Sequence, residues 1–148
     1  MEGAIFECSA GWTGWLPPGV RRVTSAEELE GHDWTLLALT ASGCEKLGKR
    51  PVQCRILLVP GDCPPVRLAH IQAENVVSYG LSPRDSLTLS SLRSPVLCVQ
   101  RALPRPNGGV IEPQEFPLPD LRSPAEGLLP LLGLRLLQMP LTTALNLW

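Results

Sequence analysis

The stretch Arg55-Ile-Leu-Leu-Val-Pro-Gly-Asp62 decides the fold, because a short and nearly uninterrupted apolar run is closed there by turn residues. Continuous apolarity over about four to eight residues is typical of a strand that is covered on both faces. Two further runs have the same character, 34–40 before this stretch and 75–79 after it. Spacers of about 14 residues between such runs are typical of parallel strands joined by crossovers. We therefore predict an α/β fold with an open, three-layer sheet and mainly parallel core strands.

Segments on either side of these runs complete the predicted layers. The run 3–8 indicates a first, weaker strand. Ser25 and Glu28 have the spacing of a capping box, in which each side chain accepts a hydrogen bond from a backbone N–H of the first helical turn. This spacing predicts a short helix over 26–30. A second helix is predicted over 65–72, which has Pro near its first turn and several apolar side chains.

The pattern changes after residue 80. Residues 86–90 alternate with period two, and the later runs 95–103 and 110–116 are separated by Asn107-Gly-Gly109. An Asn-Gly pair supplies the positive φ angles of a tight hairpin, so we predict antiparallel pairing at the C-terminal edge. Three prolines confine these runs to edges or bulges, namely Pro104, Pro106 and Pro113.

The composition favours one folded domain followed by a distinct tail. The 148 residues include 16 Pro and 13 Gly, a proportion below that of chains best described as disordered. We assign residues 1–120 to a single α/β domain and 121–148 to a Leu/Pro-rich tail with eleven Leu. Pro130 and Gly133 interrupt its helical pattern. Three placements stay open for the tail: a helix docked on the sheet, an interface with a partner, or a frayed end.

Charge and cysteine usage exclude several classes of protein. Thirteen basic and fourteen acidic residues give a net charge of −1 with no block of like charges, so neither nucleic acid nor a membrane surface is an expected partner. The five Cys lack the Cys-x-x-Cys spacing of zinc and redox sites, which favours reduced thiols. The start has no basic region typical of a secretory signal, and no apolar stretch is long enough for a membrane helix. These features predict a soluble cytoplasmic protein; its oligomeric state stays open.

Candidate binding residues follow the ends of the predicted strands. In an open α/β sheet the ligand crevice lies beyond the carboxyl ends of the strands, where backbone amides and helix N-termini converge. We expect a small anionic ligand or a protein partner to bind there. The alternative is that these are turn residues chosen for their backbone preferences. The candidate residues are Ser42, Gly43, Gly61, Asp62, Gly80, Ser82, Arg84 and Asp85.

Catalytic constellations are not apparent in the sequence. Neither of the two most specific phosphate-loop signatures occurs, and His32 and His70 have no partner at metal-binding spacing. Cys63 would need a base, and His70 could reach it only through folding that the sequence does not show. We name no catalytic residue, metal or cofactor. The favoured function is a small non-enzymatic ligand- or partner-binding protein, and the alternative is an enzyme acting on a small anionic or nucleotide-like substrate at the same edge.

Three segments together carry a family resemblance: 56–62 with its Pro-Gly-Asp end, 75–81 with its Tyr-Gly-Leu end, and the strand-rich 86–116. Their order resembles the closing part of the central domain of Mur ligases, ATP-dependent enzymes that join amino acids to peptidoglycan precursors. The chain lacks that family's Gly-Lys-Thr phosphate loop and its metal-binding segments. The resemblance therefore implies shared architecture without ligase catalysis, and carries over only Asp62 as a ligand contact.

Overall fold

Eight strands form one mixed sheet, and two short strands form a separate hairpin. The computed structural model describes residues 2–91, 93–119, 121 and 123–147. The strands are β1 (Gly3–Phe6), β2 (Val20–Val23), β3 (Asp33–Leu39), β4 (Val52–Pro60), β5 (Ile71–Tyr79), β6 (Leu87–Leu89), β7 (Val96–Val99), β8 (Leu103–Pro104), β9 (Val110–Ile111) and β10 (Gln114–Pro117). The α-helices are α1 (Ala41–Lys46) and α2 (Leu129–Gln138), and 3₁₀-helical segments span Ala10–Trp15, Ala26–Leu29, Pro65–Leu68 and Ala125–Leu128.

The strand order in the large sheet is β10-β7-β6-β5-β4-β3-β1-β2. Neighbouring strands from β2 across to β6 pair in parallel, whereas β7 pairs antiparallel with both β6 and β10. The separate hairpin, β8 with β9, is also antiparallel. The predicted α/β class, with a parallel core and an antiparallel C-terminal edge, is confirmed.

Two hydrophobic cores lie on opposite faces of the sheet. One contains Ile56 and Leu58 of β4 together with α2, and the other contains Leu57 and Val59 of β4 together with Cys44 of α1. Every residue from 56 to 59 is therefore buried, whichever face it points to. This double coverage explains the unbroken apolar run that decided the fold in the sequence.

Only the first half of the helix predicted over 65–72 is helical. The 3₁₀-helical segment ends at Leu68, and β5 begins at Ile71. Val52 pairs with Ile71 in the parallel ladder, and its amide donates to the His70 carbonyl at 3.1 Å. Pairing with a full-length neighbouring strand satisfies these backbone groups better than a further helical turn would.

The predicted capping box does not form. The side chain of Ser25 accepts no hydrogen bond from the first helical turn. Instead, the amide of Glu28 donates to the Ser25 carbonyl at 3.1 Å, which is the backbone bond of a 3₁₀ turn. A side chain of β3 anchors the end of this short segment, because the indole of Trp34 donates to the Leu29 carbonyl at 3.0 Å.

The turn between β8 and β9 differs from the predicted tight Asn-Gly turn. Gly108 has φ +90°, but Asn107 does not have a positive φ. The Asn107 side chain instead accepts a hydrogen bond from the Gly109 amide at 2.8 Å. Asn107 therefore acts through a local side-chain turn, and Gly108 alone supplies the left-handed conformation.

The Leu-rich segment contributes α2 to the core beside β4. Pro130 lies in the first turn of α2, where its missing N–H leaves no helical bond unmade. Gly133 faces the sheet, since a Cβ added there would lie 2.9 Å from Leu58 Cδ2. Pro130 is therefore compatible with the start of the helix, and Gly133 allows the helix to approach the sheet closely. The proposed domain boundary falls on Asp120, which lies outside the described residues.

Arg135 on α2 is the buried cation that fixes the C-terminal segment, with only 6% of its surface exposed. Its guanidinium donates to the carbonyls of Ala144 at 2.7 Å, Trp15 at 2.6 Å, Asn146 at 3.2 Å and Thr143 at 3.4 Å. The side chain thus links α2 to both ends of the chain. In the described residues, no helix has the length and apolar character to cross a membrane.

Candidate functional site

A cavity of about 510 Å³ opens at the carboxyl ends of β4 and β5. We call it the acidic pocket, because three of its lining side chains are carboxylates. Its walls come from the ends of β4 and β5, the turn that precedes β6, the start of α1, and the segment that leads into α2. The lining residues are Ala41, Pro60, Gly61, Asp62, Tyr79, Gly80, Leu81, Ser82, Asp85, Glu126 and Leu129.

Asp85 is the most deeply buried polar residue of the acidic pocket, with 5% of its surface exposed. The Ser82 amide donates to its Oδ2 at 3.1 Å. Its Oδ1 accepts no hydrogen bond from the described part of the chain, in which every fully buried side-chain oxygen or nitrogen has a partner. Oδ1 is therefore not fully buried, and it belongs to a side chain that lines the cavity. A carboxylate oxygen without a hydrogen bond is a ready acceptor for a ligand donor.

Two glycines make the room that the Asp85 carboxylate occupies. A Cβ added at Gly61 would overlap Asp85 Oδ1, and one added at Gly80 would lie 2.5 Å from Oδ2. Both glycines lie where a strand ends, and the Gly61 amide donates to the Tyr79 carbonyl at 2.9 Å. Both glycines therefore allow the backbone to approach a carboxylate closely.

All the charged side chains that line the acidic pocket are carboxylates. Asp62 and Glu126 are exposed at its rim, and Asp85 lies inside. None of the described lining residues is Lys, Arg or His. Carboxylates that face a partly enclosed space attract a cation and repel an anion. The lining therefore favours the opposite charge from the anionic ligand expected from the sequence.

Ser42 and Gly43 lie on α1, outside this lining. The Thr40 hydroxyl caps the start of α1, because it accepts a hydrogen bond from the Gly43 amide at 3.0 Å. A Cβ added at Gly43 would lie 2.6 Å from the Phe6 carbonyl oxygen, which shows how closely α1 packs on the end of β1. Strand order reverses at β1, where a ligand crevice is expected in such sheets. Here α1 occupies that position.

Arg84 and Asp85 face different environments although they are adjacent. Arg84 is exposed, whereas Asp85 is buried, and the two form no ion pair in the described structure. The backbone of Arg84 instead holds the turn. Its amide donates to the Ser82 hydroxyl at 3.2 Å, and its carbonyl accepts from the Arg101 guanidinium at 2.7 Å. Of the eight predicted site residues, the acidic pocket brings together Gly61, Asp62, Gly80, Ser82 and Asp85.

Six lining residues were absent from the predicted set, namely Ala41, Pro60, Tyr79, Leu81, Glu126 and Leu129. Glu126 and Leu129 come from the Leu-rich segment, and no local pattern in the sequence places that segment beside the strand ends. Tyr79 ends β5, and its hydroxyl donates to the Leu39 carbonyl at 2.7 Å. Burial raises the pKa of Tyr79 well above its usual value, so its phenol stays neutral and serves to tie β5 to β3.

Metal binding has little support in the donor set. The described residues contain no group of three or more His, Cys, Asp or Glu side chains placed to hold a metal ion. The three carboxylates of the acidic pocket are spread around its wall and rim. Such an arrangement suits an extended organic cation better than a single ion with a compact ligand shell.

Comparisons with protein-family models, with curated proteins and with solved structures gave no match to this chain. The resemblance to the central domain of Mur ligases, carried by 56–62, 75–81 and 86–116, therefore stays a prediction from the sequence. Function has to be inferred from the residues of this chain and their geometry.

Proposed function

We propose that this protein binds a small organic amine, without transforming it, in the acidic pocket at the carboxyl ends of β4 and β5. The observation that carries the proposal is the Asp85 carboxylate, which lines the cavity, is largely buried, and has an Oδ1 that accepts no hydrogen bond from the described residues. A hydrogen bond between a buried carboxylate and an ammonium is charge-assisted, and therefore stronger than a neutral one.

The proposed ligand carries an apolar body next to its ammonium group. Ala41, Pro60, Leu81 and Leu129 contribute apolar surface to the walls of the acidic pocket. A volume of about 510 Å³ lies within the range of small-molecule sites. Asp62 and Glu126 at the rim would attract the cation during its approach, and Asp85 would orient it inside.

Binding is favoured over catalysis because of what lines the pocket. The described lining offers carboxylates, a neutral phenol and the Ser82 hydroxyl, but no imidazole, thiol or amine that could act with them as nucleophile or base. The alternative function, an enzyme for an anionic or nucleotide-like substrate, needs a cationic group to receive its substrate. Arg84 was the candidate for that group, and it lies outside the lining.

Isothermal titration calorimetry with three probes of one shape tests the proposal. Phenethylamine is a cation at neutral pH, 2-phenylethanol is neutral and phenylacetate is an anion. We expect heat of binding from the amine alone. Asp85→Asn keeps the size of the side chain but removes its charge, and should weaken amine binding about 10- to 100-fold, the equivalent of one charge-assisted hydrogen bond.

Glu115→Gln is the matched control, because Glu115 is an exposed carboxylate on β10 outside the acidic pocket. This variant should bind the amine as the wild type does. Stronger binding of phenylacetate than of phenethylamine would refute the charge argument. Unchanged amine affinity in Asp85→Asn would place the site elsewhere.

A further inference from the structure

A second, smaller cavity of about 240 Å³ adjoins the acidic pocket and contains two thiols. Cys44 comes from α1 and Cys63 from the turn that follows β4. The two cavities share Ala41, Pro60 and Asp62 in their linings. We call Cys44 and Cys63 the thiol pair, and we call this second cavity the thiol cavity.

Packing brings the two thiols into the same part of the structure. Cys44 belongs to the buried core on the α1 face of the sheet, and Cys63 packs against that core. Cys63 is also near enough to Cys44 to raise the pKa of the Cys44 thiol. The Arg67 guanidinium donates to the Glu45 carbonyl at 3.4 Å, so a second contact holds the segment after Cys63 to α1.

The surroundings assign different roles to the two sulfurs. Cys63 is partly exposed, whereas Cys44 is buried. Burial and the neighbouring Cys63 raise the pKa of Cys44; Asp62 adds to this rise, and Arg67 opposes it. Cys44 therefore stays a protonated thiol, and Cys63 is the sulfur that an oxidant from solvent reaches first.

We propose that Cys44 and Cys63 form a reversible intramolecular disulfide when the protein meets hydrogen peroxide. In the first step the Cys63 sulfur attacks a peroxide oxygen, the O–O bond breaks, and Cys63 becomes a sulfenic acid with release of one water. In the second step the Cys44 sulfur attacks the Cys63 sulfur, the S–O bond breaks, and a second water leaves with the Cys44 proton. The thiol pair loses two electrons, and peroxide gains them. A dithiol reductant reverses the change by thiol exchange.

The new bond would join α1 to the turn that carries Gly61 and Asp62, which form part of the wall of the acidic pocket. The proposal does not depend on amine binding, because its direct readout is a covalent bond. His70 does not line the thiol cavity, so the proposal uses no histidine base.

Peptide mapping by mass spectrometry tests the proposal. The full-length chain is treated with one equivalent of hydrogen peroxide, and its free thiols are alkylated before digestion without reductant. We expect a cross-linked peptide that joins Cys44 to Cys63, with the mass of two hydrogens lost, and we expect it to disappear after reduction. Cys98→Ser is the control, since Cys98 is partly exposed on β7 and lies outside the thiol cavity. This variant should form the same cross-link.

Cys63→Ser should abolish the cross-link and leave Cys44 open to alkylation only after denaturation. The mapping of the unsubstituted chain decides the question even where a variant folds poorly. A cross-link between any other two cysteines would overturn the proposal. Oxidation of Cys63 to a sulfinic or sulfonic acid with Cys44 still reduced would overturn it equally.

Discussion

Replacing Arg135 by Met should destabilise the protein without unfolding it at room temperature. Met retains much of the apolar length of the Arg stem, so the main loss is that of the guanidinium donors. Those donors reach four carbonyls, of which that of Ala144 is buried and those of Trp15, Thr143 and Asn146 are partly buried. The perturbation therefore isolates the bonds that link α2 to both ends of the chain.

The magnitude follows from the burial of those carbonyls. Loss of a partner costs a buried acceptor about 1–3 kcal/mol, and a partly buried acceptor that water can reach about 0.5–1 kcal/mol. One acceptor of the first kind and three of the second give about 4 kcal/mol. For a chain of this length, that loss lowers the melting temperature by about 8–16 °C. It is smaller than the total stability of most domains, about 5–15 kcal/mol, so the variant should still fold.

Urea unfolding followed by circular dichroism measures this loss. Arg101→Met is the matched control, because Arg101 is exposed and its guanidinium donates to one carbonyl, that of Arg84. The control should lose no more than about 1 kcal/mol. A loss below about 1 kcal/mol in Arg135→Met would refute the view that this buried cation holds the C-terminal segment in place.

Three further substitutions test the packing around the sites. Gly61→Ala should move the Asp85 carboxylate and weaken phenethylamine binding at least as much as Asp85→Asn does, as measured by calorimetry. Gly133→Val should cost about 1–3 kcal/mol in urea unfolding, because its side chain would press on Leu58 at the interface of α2 and the sheet. Tyr79→Phe should lose about 1 kcal/mol at neutral pH with its hydrogen bond. Burial raises the pKa of Tyr79 above its unfolded value of 10.0, so the neutral phenol stabilises the fold fully below that pH and progressively less above it. Urea unfolding at a series of alkaline pH values should therefore show that the free energy of unfolding falls less steeply with pH in Tyr79→Phe than in the wild type.

The sequence predicts the core strands well because their burial is encoded locally. Residues 56–59 of β4 are buried on both faces of the sheet, and this burial appears in the sequence as an unbroken apolar run. The first half of β5 was missed for the opposite reason. Gln72 and Glu74 are exposed, so this half of β5 forms a strand because it pairs with β4, and its own side chains give no apolar pattern.

The edge strand β2 shows the same limit. Its central residues are Arg21 and Arg22, both exposed, and only Val20 and Val23 are buried. A parallel ladder with β1 makes this short segment a strand. Pairing of this kind depends on residues distant in the sequence, so local apolar patterning does not reveal it.

The sequence predicts the edge at which the acidic pocket opens, but it does not predict the charge of the lining. The strand ends at Gly61 and Gly80 indicated this edge, since carboxyl ends of parallel strands meet there. The sequence Arg84-Asp85 gives no sign of which side chain turns inward. That choice depends on the space left by Gly61 and Gly80. The third carboxylate, Glu126, comes from a segment distant in the sequence.

The most direct test of the acidic pocket is a titration of the ¹⁵N-labelled protein with phenethylamine, followed by two-dimensional NMR. The Ser82 amide donates to Asp85 Oδ2, so it reports on any cation that binds Asp85. We predict that the largest saturable shift changes fall on the amides of Gly61, Gly80 and Ser82, and that Asp85→Asn abolishes them. Saturable changes confined to other residues, or none at phenethylamine concentrations up to about 10 mM, would contradict the proposed amine site.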